Sequence, residues 1–232
     1  WTACRIGLEV RPGRVGSPSG MAAAERVDST LALAPILRRR VSALGQMAFR
    51  AACNLTVPEH ARFIFCSRHG EFQRTLNILT ALAAGEDLSP AEFSLSVHNA
   101  LAGLLAIAWR NTAGHTTIAA GADTFESALI EAASCLMETP DVPVLLVYFD
   151  DRLPEPYGEI GDSGETCVAL AILLTAPHHD GNDIILEPPP HEKMAAAESA
   201  SGQAMSFIRF LLAEEADEEP SSQPTHRRWR RA

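Results

Sequence analysis

The sequence predicts an α/β layered fold, with helices on the faces of a mixed sheet, from three observations. Residues 142–149 (VPVLLVYF) and 166–175 (TCVALAILLT) are continuous apolar runs, as expected of strands covered on both faces. Other segments carry apolar residues at helical spacing. The two kinds alternate along the chain, as layered α/β domains require.

Taken in order, residues 5–10 read as a first strand, and residues 11–30, rich in Gly, Pro and Ser, as a loop. Residues 36–55 have helical periodicity through Leu37, Val41, Leu44, Met47, Ala48, Ala51 and Leu55, with Pro35 suited to the first turn. RFIFCS (62–67) reads as a buried strand. Residues 71–84 read as a helix stopped by Gly85. Residues 99–110 read as a helix whose Ala100, Ala102, Gly103 and Ala106 permit close packing. A strand at 116–120 leads through a sharp Gly121 turn into a helix at 123–137. There Asp123 and Glu126 have the spacing of a capping box. Residues 184–186 read as an edge strand and 203–212 as a last helix. With no internal repeat and no long linker, residues 1–232 read as one domain.

The apolar content of 47% is that of a globular chain, and no apolar run is long enough for a transmembrane helix. The beginning shows no secretory leader, and its Trp1 implies that the natural start is missing. A net charge of −10 argues against a nucleic-acid surface. Residues 214–232, acidic and then basic (HRRWRR, 226–231), read as a flexible charged tail. Five Cys without CxxC spacing imply reduced thiols in a cytoplasmic protein, with Cys53, Cys66, Cys135 and Cys167 as buried small hydrophobes.

Several short motifs could carry chemistry. Arg68-His69-Gly70-Glu71 follows a strand, the context in which histidine phosphatases place a phosphate-accepting His and an oxygen-holding Arg. Its bland alternative is a buried loop or a subunit contact. Asp150-Asp151 ends a strand and could bind a cation, but with no matching ligand set it reads as a solvated strand end. His178-His179-Asp180 is a weak metal pattern in a polar loop, and no metal site is expected. Gly161-Asp162-Ser163-Gly164 lacks the β context of a serine protease, and no GxSxG elbow occurs.

The segments LRRRVSALGQMAFRAA (37–52), FCSRHGEFQRTLNILTALAAGEDLSPAEFSLSVHNALAGLLAIAWRNTAGHTTIAAGADTFESALIEAA (65–133), VLLVYFDDRLPEPY (144–157) and RRWRR (227–231) resemble the β-ketoacyl synthase-like N-terminal domain family. Within it the chain is most similar to the short proteins paired with a ketosynthase in aryl-polyene-type clusters, which are regarded as chain-length factors. The match covers most of the chain and is weakest over residues 1–30. The resemblance implies a thiolase-like half built on a five-stranded mixed sheet.

In active members a Cys on the strand-to-helix turn gains thiolate character from the helix N-terminus. The corresponding turn here is Gly121, Ala122 and Asp123, a degenerate elbow in which Ala122 stands at the nucleophile position. Two His of the family's C-terminal half are also missing from this sequence. Cys135 lies too far along the helix to substitute. The resemblance therefore implies no catalytic residue, no cofactor and no condensation by this chain alone. It places Ser96, His98, Asn99, Thr116, Thr117, Ile118, Ala119 and Phe125 at a subunit contact and acyl tunnel. It implies an active ketosynthase subunit as partner in fatty-acid or polyketide elongation, with acyl carrier protein reached through that subunit and a homodimer when the partner is absent. Two other readings stay open: a phosphatase built on Arg68, His69 and Glu71, and a homodimeric acyl-binding protein.

Overall fold

The computed structural model describes residues 4–9, 39–160, 167–177, 183–186, 200–212 and 229–231. Strands β1 (Cys4–Glu9), β2 (Arg62–Cys66), β3 (His115–Ile118), β4 (Val144–Asp150), β5 (Val168–Thr175), β6 (Asp183–Leu186) and β7 (Trp229–Arg231) form one sheet in the order β3-β2-β4-β5-β1-β6-β7. Strand β2 pairs in parallel with β3 and β4, and the remaining pairings are antiparallel. The helices are α1 (Ala43–Cys53), α2 (Phe72–Ala84), α3 (Pro90–Leu95), α4 (Ala100–Trp109), α5 (Thr124–Glu138) and α6 (Ala200–Leu212).

The side-chain alternation of β2 and β4 builds two cores. Ile64, Cys66, Val144, Leu146 and Tyr148 point toward α5 and α6. Phe63, Phe65, Leu145, Val147 and Phe149 point toward α1 and α4. Both faces of these strands are covered, which explains their uninterrupted apolar sequences.

The fold is α/β, as expected, but the described residues form a sheet of seven strands where five were expected. The strand that the sequence reading did not place is β7, and it lies outside β6, so that residues 184–186 are not the edge strand expected. The Arg residues around Trp229 read as a solvated run, yet the backbone pairs with β6 and the indole is buried. The flexible-tail expectation thus fails at Trp229–Arg231. The acidic part of that tail, the loop at 11–30, His178-His179-Asp180 and Gly161-Asp162-Ser163-Gly164 lie outside the described residues.

The first helix begins later than its periodicity implies. Ser42 caps it, accepting a hydrogen bond from Gly45 N at 2.9 Å. Helix α3 was not expected, although its signals are present: Ser89 accepts from Glu92 N at 3.3 Å, and Pro90 occupies the first turn.

Candidate functional site

The elbow follows directly from β3. Gly121 adopts φ 61, a left-handed conformation that favours glycine, and opens a 3-10 turn over Gly121–Asp123. The expected capping box does not form. Asp123 already has near-helical backbone angles, φ −89 and ψ 13, and its carboxylate makes no capping bond. Thr124 holds the turn instead: its hydroxyl donates to Gly121 O at 2.7 Å and accepts from Ala120 N at 2.9 Å. Half-buried Ala122 places only a methyl group at the elbow.

The other thiols described, those of Cys53, Cys66, Cys135 and Cys167, do not compensate. Cys135 is buried about 18 Å along α5 from the elbow by helix rise. Its Sγ accepts from Arg62 Nη1 at 3.3 Å. Burial pushes the Cys53 thiol up and that of Cys66 well up. Cys167 is exposed, contrary to expectation, because it sits ahead of β5 beside Asp150 and Asp151; partial burial first, then those charges, raise it. A nucleophilic thiolate requires the opposite shift.

Phe125 lies inside the core, away from the β3 edge. It is fully buried between Tyr148, Phe207 and Trp229, with ring centroids 5.6, 5.4 and 6.4 Å away. The other expected contact residues do gather on one side. Thr116, Thr117 and Ile118 are half-buried on β3, and Ala119 is exposed just beyond. Helix α4 packs against β3. Ser96 ends α3 and donates to Phe93 O at 2.9 Å; exposed Asn99 begins α4. Half-buried His98 sits over Gly70, where an added Cβ would fall 3.0 Å from His98 Cε1. His98 Nε2 and Thr117 Oγ1 are shielded from solvent without a hydrogen-bond partner.

Strand β3 is the sheet's edge. Gly114 O and Ile118 O accept from Phe63 N and Ser67 N of the β2 side at 3.1 and 3.2 Å. By the two-residue alternation of a strand, the N–H and C=O of His115, Thr117 and Ala119 face away from β2, toward the open edge.

The Arg68-His69-Gly70-Glu71 motif is tied into this end of the sheet. Asp150, expected at a solvated strand end, is buried, whereas Asp151 is exposed. Its carboxylate accepts from Arg68 N at 2.7 Å, His69 N at 3.1 Å and the Ser67 hydroxyl at 3.2 Å. Burial raises its pKa, and these donors with the charge of His69 oppose the rise. Glu71, also buried, accepts from the Ser42 hydroxyl at 2.6 Å and from Arg74 Nε at 2.8 Å. The loop therefore joins β2, β4, α1 and α2, and Gly70 seats it against His98. Asp150, singled out in the sequence but taken for a solvated strand end, is instead the buried acceptor that holds this loop. Among the described residues no His, Cys, Asp and Glu cluster could hold a metal.

Residues 16–230 match the family model of the beta-ketoacyl synthase, N-terminal domain. The chain belongs to this family. This synthase-like chain is similar in fold to a chain of a ketosynthase in complex with its chain length factor, ApeO and ApeC, from Xenorhabdus doucetiae. That likeness has a TM-score of 0.64 and 23% identity, over 93% of this chain and 91% of that one. A chain of the ishigamide ketosynthase/chain length factor matches at a TM-score of 0.51 and 14% identity, over 68% of this chain and 51% of that one. No curated protein matches the sequence. No described helix is long and apolar enough to cross a membrane.

Proposed function

We propose that this synthase-like chain is a non-catalytic, chain-length-factor subunit. It pairs with an active ketosynthase in fatty-acid or polyketide elongation of the aryl polyene type and contributes tunnel wall, while the partner makes the carbon–carbon bond. The observation that carries the reading is the elbow: a left-handed Gly121 and a following helix frame a position filled by the methyl of Ala122. A methyl group cannot accept an acyl chain from a thioester. The family membership and the matches to ketosynthase and chain-length-factor complexes support the same reading.

Pairing runs along the open edge of β3, which meets its counterpart in the partner and extends the sheet across the contact. Ser96, His98 and Asn99 lie beside that edge and line the contact. Arg68, His69 and Glu71 position the adjoining loops. Acyl carrier protein is engaged through the ketosynthase, no cofactor takes part, and the chain forms a homodimer when its partner is missing. The setting is the cytoplasm.

Co-expression with an active ketosynthase of this family tests the proposal. The expected result is a one-to-one complex that elongates malonyl and acyl thioesters, with no condensation by this chain alone. Condensation by the isolated chain, or failure to form the complex, overturns it.

A further inference from the structure

Helices α2 and α3 stand out from the body of the protein. Neither contains a single buried residue, although α2 has the sequence FQRTLNILTALAA. Every residue from 82 to 91 is exposed. Leu79, Leu82, Leu88, Phe93 and Val97 are all exposed, Phe93 by 63%. Helix α2 has only a half-buried face, through Phe72, Leu76, Ile78 and Ala81, and a helix of 13 residues is marginal in water on its own.

A polar bolt holds the pair in place. Arg74 bridges Glu71 and Glu92 at 2.8 and 2.7 Å and donates to Arg40 O at 2.6 Å. Phe72 adds an edge contact to Tyr157, centroids 5.3 Å apart. The attachment is thus at the base, and the apolar tip is left open.

The tip is continuous with the β3 edge, since α4 packs on β3, α3 on α4 and α2 on α3. Exposed Ile107 extends the apolar surface along α4. A stable pair buries roughly 2,000 Å² or more in total. The four residues of β3 span only about 13 Å, too short an edge to supply that area. Charge narrows the occupant further. Residues 75–109 contain no Lys or Arg, and the tip carries Glu86 and Asp87. It complements an apolar groove with a basic rim.

We infer that α2 and α3 form a docking arm that inserts into such a groove on the ketosynthase subunit paired along β3. This rests on the pairing proposed above and assigns a second contact region to the same partner.

Titration calorimetry of the full chain against that ketosynthase tests the arm. Leu82→Ser combined with Phe93→Ser should weaken association tenfold or more, while the melting temperature of the isolated chain stays within a few degrees. Glu86→Lys combined with Asp87→Lys should weaken association severalfold at low salt, with the difference shrinking at high salt. Wild-type affinity in the Leu82, Phe93 variant overturns the arm and leaves the β3 pairing standing. A tip that instead mediates self-association of this chain overturns the assigned occupant. No association of the wild-type chain overturns both readings.

Discussion

Strands β4 and β3 both lie parallel to β2, one on each side, yet they are finished differently. All seven residues of β4 are buried, between α5 on one face and α1 and α4 on the other. None of the four residues of β3 is buried, and no described strand pairs with its outer side. The aromatic cluster around Phe125 shows how thoroughly the α5 side is sealed. The same chain leaves Leu82, Phe93 and Ile107 exposed on the β3 side. Among the described residues the large exposed apolar side chains gather on the β3 side, with Met137 at the end of α5 the exception, a distribution that suits a face completed by a second subunit.

The sealed region should be the costliest to damage. Phe207→Ala removes a fully buried ring that touches both Phe125 and Trp229. A loss of about 3–5 kcal/mol in chemical denaturation is expected. A loss under about 1 kcal/mol would show that α6 and β7 do not close this face as described.

The open edge should respond in the opposite way. Thr117→Pro removes an outward N–H and leaves the β2 ladder donors and acceptors intact. Stability should change by about 1 kcal/mol or less, while ketosynthase affinity drops about a hundredfold, or ~2.7 kcal/mol. A variant that unfolds before it stops pairing would erase the distinction between the two strands.

Asp150 links the regions, because it ends β4 and holds the loop that seats His98. Asp150→Asn turns an amide donor toward Arg68 N–H and should cost about 1–3 kcal/mol. The native carboxyl is raised above its ordinary 3.8, chiefly by burial. Its neutral form is therefore favoured by folding. That stabilising contribution is complete below 3.8 and fades as pH rises through the raised value. The stability advantage of wild type over the Asn variant should narrow over that interval in denaturation curves, and a widening would reverse the assignment.

The smallest effect is expected at the elbow. Ala122→Cys should shift stability by about 0.5 kcal/mol or less and leave the isolated chain unable to condense thioesters. Acquired condensation in an assay of malonyl and acyl thioesters would show that only the thiol was missing.

Much of this architecture was legible in the sequence because burial on both faces writes itself as unbroken apolar runs, as in β4 and β5. The helices carried their periodicity, and the Gly121 turn was read correctly. Trp229 was missed because backbone pairing is invisible in a run of Arg. The Asp123 cap was misassigned because residue spacing does not reveal that a 3-10 turn has already set its backbone. Phe125 was placed at the contact by the family resemblance, whereas the fold buries its ring against Tyr148, Phe207 and Trp229. The buried Asp150 could not be distinguished from Asp151, since only the fold decides which of two adjacent carboxylates faces the loop.

Amide hydrogen exchange across β3 tests the pairing most directly. In the isolated chain, diluted until it is monomeric, His115 and Thr117, whose N–H groups face outward, should exchange faster than Ile118, which faces β2. Adding one equivalent of the ketosynthase should protect His115 and Thr117 strongly and change Ile118 little. Unchanged exchange at His115 and Thr117 in a complex that demonstrably forms would contradict pairing along this edge.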